Sequence, residues 1–144
     1  MALLRARESV MMRFRPLLDA HGINEQQWRV IRVLEEKGPL DATELAARAN
    51  ILAPSLTRMI RSLSERGLVI RGADSLDGRR VILTITEEGS RLIAAVTPQA
   101  NAVYAALDQA FGVERIAELV ALLEALSALP SESGQRASAS EPDV

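Results

Sequence analysis

Ile51-Leu52-Ala53-Pro54-Ser55-Leu56-Thr57-Arg58-Met59-Ile60-Arg61-Ser62-Leu63-Ser64-Glu65-Arg66-Gly67, continuing to Thr86, is the stretch whose reading decides the fold. Leu56, Met59, Ile60 and Leu63 recur at i, i+3, i+4 and i+7, so one helical face points inward. The opposite face carries Pro54, Arg58, Arg61 and Glu65, flanked by Ser55, Thr57 and Ser62. A short helix that shows hydroxyls and guanidinium groups to solvent suits a DNA major groove, where such groups meet base edges and phosphates. Pro54 fits the first helical position, and Ala53 before it has no capping oxygen. The first backbone N–H groups therefore remain available to a phosphate.

Working outward, Leu40-Asp41-Ala42-Thr43-Glu44-Leu45-Ala46 reads as a helix start, with Asp41 as N-cap and Glu44 three residues on. That helix ends near Asn50, and Asn50-Ile51-Leu52 joins it to the next as a helix-turn-helix. Downstream, Gly67 stops the second helix. Leu68-Val69-Ile70-Arg71 and Arg80-Val81-Ile82-Leu83-Thr84-Ile85 are strand-type runs around Gly72-Ala73-Asp74-Ser75-Leu76-Asp77-Gly78, a β-hairpin. The whole is a winged helix-turn-helix. Asp77 and Arg79, two apart, are expected to pair and hold the hairpin loop, contributing only about 0 to 1 kcal/mol as exposed groups.

Composition narrows the class. The 144 residues are 48% hydrophobic but only 3% aromatic, so the core is built of Leu, Ile, Val and Ala in a mostly helical chain. There is no Cys, which removes disulfides, thiolate chemistry and Cys-based zinc sites. No apolar run is long enough to span a bilayer, and the charged N-terminus does not read as a signal peptide, so the expected location is cytoplasmic. The net charge of −2 hides a local basic segment. Residues 47 to 86 hold seven Arg (48, 58, 61, 66, 71, 79, 80) against Glu65, Asp74 and Asp77, a balance of +4 that leaves −6 for the remainder. Segment charge is what a phosphate backbone feels.

In chain order, a first helix covers 2–20, interrupted by Pro16. Asn24 and Gln27 form a capping pair for a second helix from Glu25 to Lys37, stopped by Gly38-Pro39. Thr86 caps a long helix to about Phe111, with Glu87 and Glu88 in its first turn and a kink expected at Pro98. A last helix, Val113 to Leu129, repeats apolar residues at Ile116, Leu119, Val120, Leu122, Leu123, Leu126 and Leu129. The terminal helices carry more apolar surface than the small wing domain covers, and a second copy of the chain is the simplest cover. The organisation expected is one domain over 1–130, with the winged helix-turn-helix at 24–86, dimerisation helices at 2–20 and 87–129, and a disordered tail at 131–144.

His21 is the single histidine, with no Cys or second His to complete a metal or nucleophile set. No phosphate loop or paired-carboxylate spacing appears, so no enzymatic activity, metal or cofactor is expected. Trp28 with Arg32 one turn later sets an aromatic plate beside a guanidinium, near Arg13 and Arg15 in the first helix. An aromatic carboxylate requires such a pairing of ring wall and cation. Spacing alone favours the plainer reading, in which Trp28 is core and the Arg residues are surface.

Four further stretches carry a resemblance: Leu4-Arg5-Ala6-Arg7-Glu8, Phe14-Arg15-Pro16-Leu17, Asn24-Glu25-Gln26-Gln27-Trp28-Arg29 and Asp77-Gly78-Arg79-Arg80. With Ile51 to Thr57 they make residues 2 to about 129 resemble the MarR family of transcriptional regulators, closest to its homoprotocatechuate degradation operon type (HpaR). The resemblance implies a mainly α fold with a small β-wing, a winged helix-turn-helix on a helical dimerisation domain. It implies a homodimeric repressor of an aromatic-acid catabolic operon, bound to a pseudo-palindromic double-stranded operator and released by a small phenolic or aromatic carboxylate ligand. The expected DNA contacts are Pro54, Ser55, Thr57, Arg58, Arg61, Arg79 and Arg80. Arg15, Trp28 and Arg32 match family ligand positions, with Ser9, Met12 and His21 as further candidates, between the first two helices and the long helix. Relatives often carry a basic residue where Ala53 stands and Arg where Leu76 stands, which leaves Arg79 as the main wing candidate for the minor groove. The alternatives are a regulator of efflux or stress genes and a winged-helix module that binds only protein.

Overall fold

Among the described residues six helices and a small sheet follow one another as α1 (Ala2–Ala20), α2 (Glu25–Lys37), β1 (Leu40–Asp41), α3 (Ala42–Ala49), α4 (Ala53–Glu65), β2 (Val69–Ala73), β3 (Val81–Ile85), α5 (Glu87–Phe111) and α6 (Val113–Ser127). The computed structural model describes residues 1–73, 76 and 78–130. The tail at 131–144 and Asp77, the expected partner of Arg79, lie outside the described residues. The chain divides into two compact units, Met1–Val103 and Tyr104–Val144. Among the described residues no helix is long and apolar enough to cross a membrane.

In the first unit, local chemistry sets each helix start. Asn24 accepts from the Gln27 N–H at 2.8 Å while the Gln27 side chain accepts from the Asn24 N–H at 3.0 Å, the reciprocal box expected. Asp41 accepts from the Glu44 N–H at 2.8 Å, but the box is not closed, because the Glu44 carboxylate turns to Arg48 at 2.9 Å. Asn50 ends α3 in the left-handed conformation at φ 52°, which its short polar side chain tolerates. Pro16 and Pro98 lie inside unbroken helical spans.

The sheet holds a strand that the sequence reading lacked. Leu40–Asp41 pairs antiparallel with β3, Leu40 opposite Leu83 and Asp41 opposite Ile82, so the order is β1-β3-β2. β2 and β3 form the hairpin from Val69 opposite Ile85 to Ala73 opposite Val81. A two-residue strand leaves no alternation to detect, and its second residue doubles as a helix cap. The unit's core gathers Leu18, Ile31, Leu34, Leu45, Leu56, Leu63 and Leu83 from the first four helices and β3, each at most 2% exposed.

One joint closes the wing onto the helices. Thr86 donates its hydroxyl to the Gly67 carbonyl at 2.6 Å, accepts from the Gly89 N–H at 3.1 Å, and gives its own N–H to the Leu68 carbonyl at 3.0 Å. Gly89 is required by this approach, since a Cβ there would sit 2.5 Å from the Leu68 oxygen and 2.6 Å from Ile85 Cγ1.

In the second unit, Gly112 takes a positive φ of 101° between the end of α5 and the start of α6. The Arg115 guanidinium stands 4.3 Å from the centre of the Phe111 ring across that turn. α6 ends at Ser127, two residues before the expected Leu129, and none of its residues is buried. Leu119, Val120, Leu122 and Leu126 are all exposed.

Candidate nucleic-acid interface

Helix α4 is fixed by its inward seam. Leu56, Met59, Ile60 and Leu63 are buried, as their spacing requires. Gln27 of α2 adds one polar tie, from Nε2 to the Ser62 hydroxyl at 3.3 Å. At the far end Arg66 donates to the Gly22 carbonyl at 2.6 Å and to the His21 carbonyl at 3.4 Å, pinning the end of α4 to the turn between α1 and α2. Nothing in the spacing around Arg66 marks this role, because its partners are backbone oxygens more than forty residues away in sequence.

The outward face of α4 is assembled as the sequence suggests. The helix begins at Ala53, so Pro54 occupies its second position rather than its first, and no side chain caps the Leu52 end. Pro54, Thr57, Arg58 and Arg61 are exposed, and Ser55 is half-buried. Thr57 donates its hydroxyl to the Ala53 carbonyl at 3.1 Å, which fixes its rotamer and leaves its lone pairs outward. The Arg61 Nε stands 3.1 Å from Glu65 on the same face, its side chain 81% exposed. Arg58 has no ion-pair partner among the described residues. Uncapped N–H groups, a hydroxyl and two cations on one ridge can bind a phosphate backbone and reach base edges.

At the wing, Leu76, Arg79 and Arg80 are exposed. Arg80, expected to contact DNA, forms an ion pair with Asp41 across the base of the wing. The Glu44 N–H, then the Arg80 guanidinium, hold the Asp41 carboxyl below the usual aspartate range.

The six ligand candidates occupy different surroundings. Trp28 is buried, and the Arg32 guanidinium lies 5.9 Å from its ring centre, the plate and cation expected from spacing. Arg15 is held by both oxygens of Glu8, one of them at 2.8 Å, which raises the Arg15 pKa and lowers that of Glu8. Ser9 and Met12 face an open depression beside Glu8 and Arg13, and the Ser9 hydroxyl oxygen accepts from the Arg13 guanidinium at 3.1 Å. His21 lines another depression with Arg66, Leu68, Glu88, Arg91 and Leu92, its Nε2 3.5 Å from the Gln99 amide nitrogen. Glu8 was not foreseen as the partner of Arg15; its spacing of seven from Arg15 on one helix, two turns apart, was the available signal.

Comparison with known proteins fits this arrangement. The MarR family pattern matches residues 21–80. The chain is 42% identical to the HTH-type transcriptional regulator FarR of Neisseria gonorrhoeae, over 87% of this chain and 86% of that one. It is 39% identical to the homoprotocatechuate degradative operon repressor of Escherichia coli, over 89% of this chain and 86% of that one. Among solved structures, NadR in complex with 4-hydroxyphenylacetate superposes with a TM-score of 0.78 at 41% identity, covering 90% of this chain and 92% of that chain. With the exposed ridge of α4, the small wing and these matches along most of its length, the chain belongs to the MarR family of transcriptional regulators.

Proposed function

We propose that the protein is a homodimeric repressor of an aromatic-acid catabolic operon, released from its operator by a small phenolic or aromatic carboxylate. The observation that carries the DNA half is the ridge of α4, where Pro54, Ser55, Thr57, Arg58 and Arg61 stand opposite a fully buried seam. Arg79 extends the contact from the wing. The ligand half is supported by buried Trp28 with Arg32 above it, and by two relatives near 40% identity, one named for homoprotocatechuate degradation and one crystallised with 4-hydroxyphenylacetate. A second copy of the chain would cover the apolar residues that α1 and α6 expose, and would present two reading helices to a pseudo-palindrome.

Release is then a population shift: the ligand favours a lobe arrangement that no longer matches two successive major grooves, by as much as it binds that arrangement better. Trp28 would supply the ring wall and Arg15 and Arg32 the cations, while Ser9 and Met12 in one depression and His21 in another are the candidates for the margin. For Arg15 to take a ligand carboxylate it must give up Glu8. Operator binding is measured by fluorescence anisotropy, with a labelled duplex selected by the wild-type protein from random-sequence DNA and 4-hydroxyphenylacetate or 3,4-dihydroxyphenylacetate as titrant. Trp28→Ala and Arg15→Ala should bind the duplex like wild type yet need more ligand for release, and Glu8→Gln should need less. A wild-type curve that neither acid shifts removes the ligand half.

A further inference from the structure

Arg80, an expected DNA contact, is tied by the fold to another secondary-structure element through a carboxylate. It stands immediately before β3, and Asp41 ends β1, the strand that pairs with β3. The two oxygens of Asp41 are divided between neighbours. Oδ1 accepts the Glu44 N–H and so closes the start of α3, while Oδ2 accepts the Arg80 guanidinium. The placement is electrostatically demanding, because a cation at a helix N-terminus is repelled by the helix dipole unless an anion intervenes. Asp41 is that anion, and its backbone is at the same time opposite Ile82 in the sheet. One carboxylate thus joins the first helix of the helix-turn-helix to the foot of the wing.

We infer that Asp41 and Arg80 form a positioning clasp that sets the wing against the helix-turn-helix, so that Arg80 acts on operator binding through Asp41 and not through a phosphate. The inference rests on the reading of α4 and the wing as the DNA face. The clasp is part-exposed, with the Arg80 side chain at 51% and that of Asp41 at 24%, so salt in the medium loosens it.

The two roles give opposite signs for one substitution. Asp41→Asn keeps a side-chain oxygen that caps α3 as well as aspartate does, and removes only the charge. If Arg80 contacts a phosphate, losing the neighbouring anion strengthens DNA binding. If Arg80 is clasped, losing the anion frees the foot of the wing and weakens binding, about two- to fivefold for a part-exposed pair. Arg80→Ala should weaken binding, and Asp41→Asn added to it should weaken it no further, the signature of two groups acting as one. The affinities are measured with the selected duplex. Independently of DNA, hydrogen exchange should be faster over residues 81–85 in Asp41→Asn, with α3 protected as before. Tighter or unchanged binding by Asp41→Asn, or additive losses in the double variant, overturns the clasp. If the wild-type protein selects no duplex, the DNA reading itself fails; unchanged exchange over 81–85 then overturns the clasp, and faster exchange there upholds its structural part.

Discussion

Arg58 and Arg61 sit one turn apart on the same ridge, and what they already hold separates them. Arg61 is paired with Glu65 along the helix, so it meets DNA only by exchanging one anion for another, while Arg58 has no such competitor among the described residues. Arg58→Ala and Arg61→Ala should each weaken binding by about 1 to 3 kcal/mol if they reach a guanine edge, with loss of base preference at one position. Glu65→Gln should strengthen binding, because it removes both the competitor and a charge that repels phosphate. Anisotropy titrations of the selected duplex at several salt concentrations test this. Wild-type affinity in both arginine variants would show that the reading helix is misassigned. The pairs that matter at this scale were legible in part. Trp28 with Arg32 followed from spacing, whereas Arg15 with Glu8 spans two turns and Arg80 with Asp41 spans 39 residues, a closure that only the folded wing produces.

Elements bounded by strong local chemistry were the readable ones. Asn24 with Gln27, Asp41 with the Glu44 N–H, Asn50, Gly67 and Thr86 each mark a boundary through a hydrogen bond or a positive φ that few residues satisfy. β1 was not readable, because its two residues carry no period. Nor was Gly89, which looks in sequence like a costly glycine in the first turn of a helix and proves to be the point where α5 meets the Leu68 carbonyl. Gly89→Ala would raise helix propensity in a free peptide. Here it should lower stability by about 1 to 3 kcal/mol, as overpacking against backbone does. Urea unfolding followed by circular dichroism measures the difference, and an unchanged or higher midpoint would mean that the joint yields.

For the molecule as a whole, the deciding quantity is exposed apolar surface. α6 leaves Leu119, Val120, Leu122 and Leu126 from 44% to 62% exposed, and α1 leaves Leu3, Leu4 and Met12 from 58% to 64% exposed, more apolar area than a lone soluble chain usually shows. Leu119→Asp and Leu123→Asp should each disrupt the proposed dimer, giving monomers or poorly folded chains with much weaker operator binding. Sedimentation velocity at micromolar concentration checks it, with circular dichroism to separate dissociation from unfolding; a well-folded wild-type monomer would reject the dimer. The winged architecture was legible because it is built from local signals. The excess of leucine in the terminal helices was legible as well, but no sequence pattern says what covers it.

The seam that holds α4 and the ridge that faces away from it share no residue. The address the protein reads and the scaffold that carries the reader are therefore written in separate letters of the same thirteen-residue word. Thr57, Arg58 and Arg61 can be exchanged for the matching residues of another regulator without disturbing Leu56, Met59, Ile60 or Leu63. Such a transplant should inherit the donor's DNA preference while keeping this chain's own melting temperature.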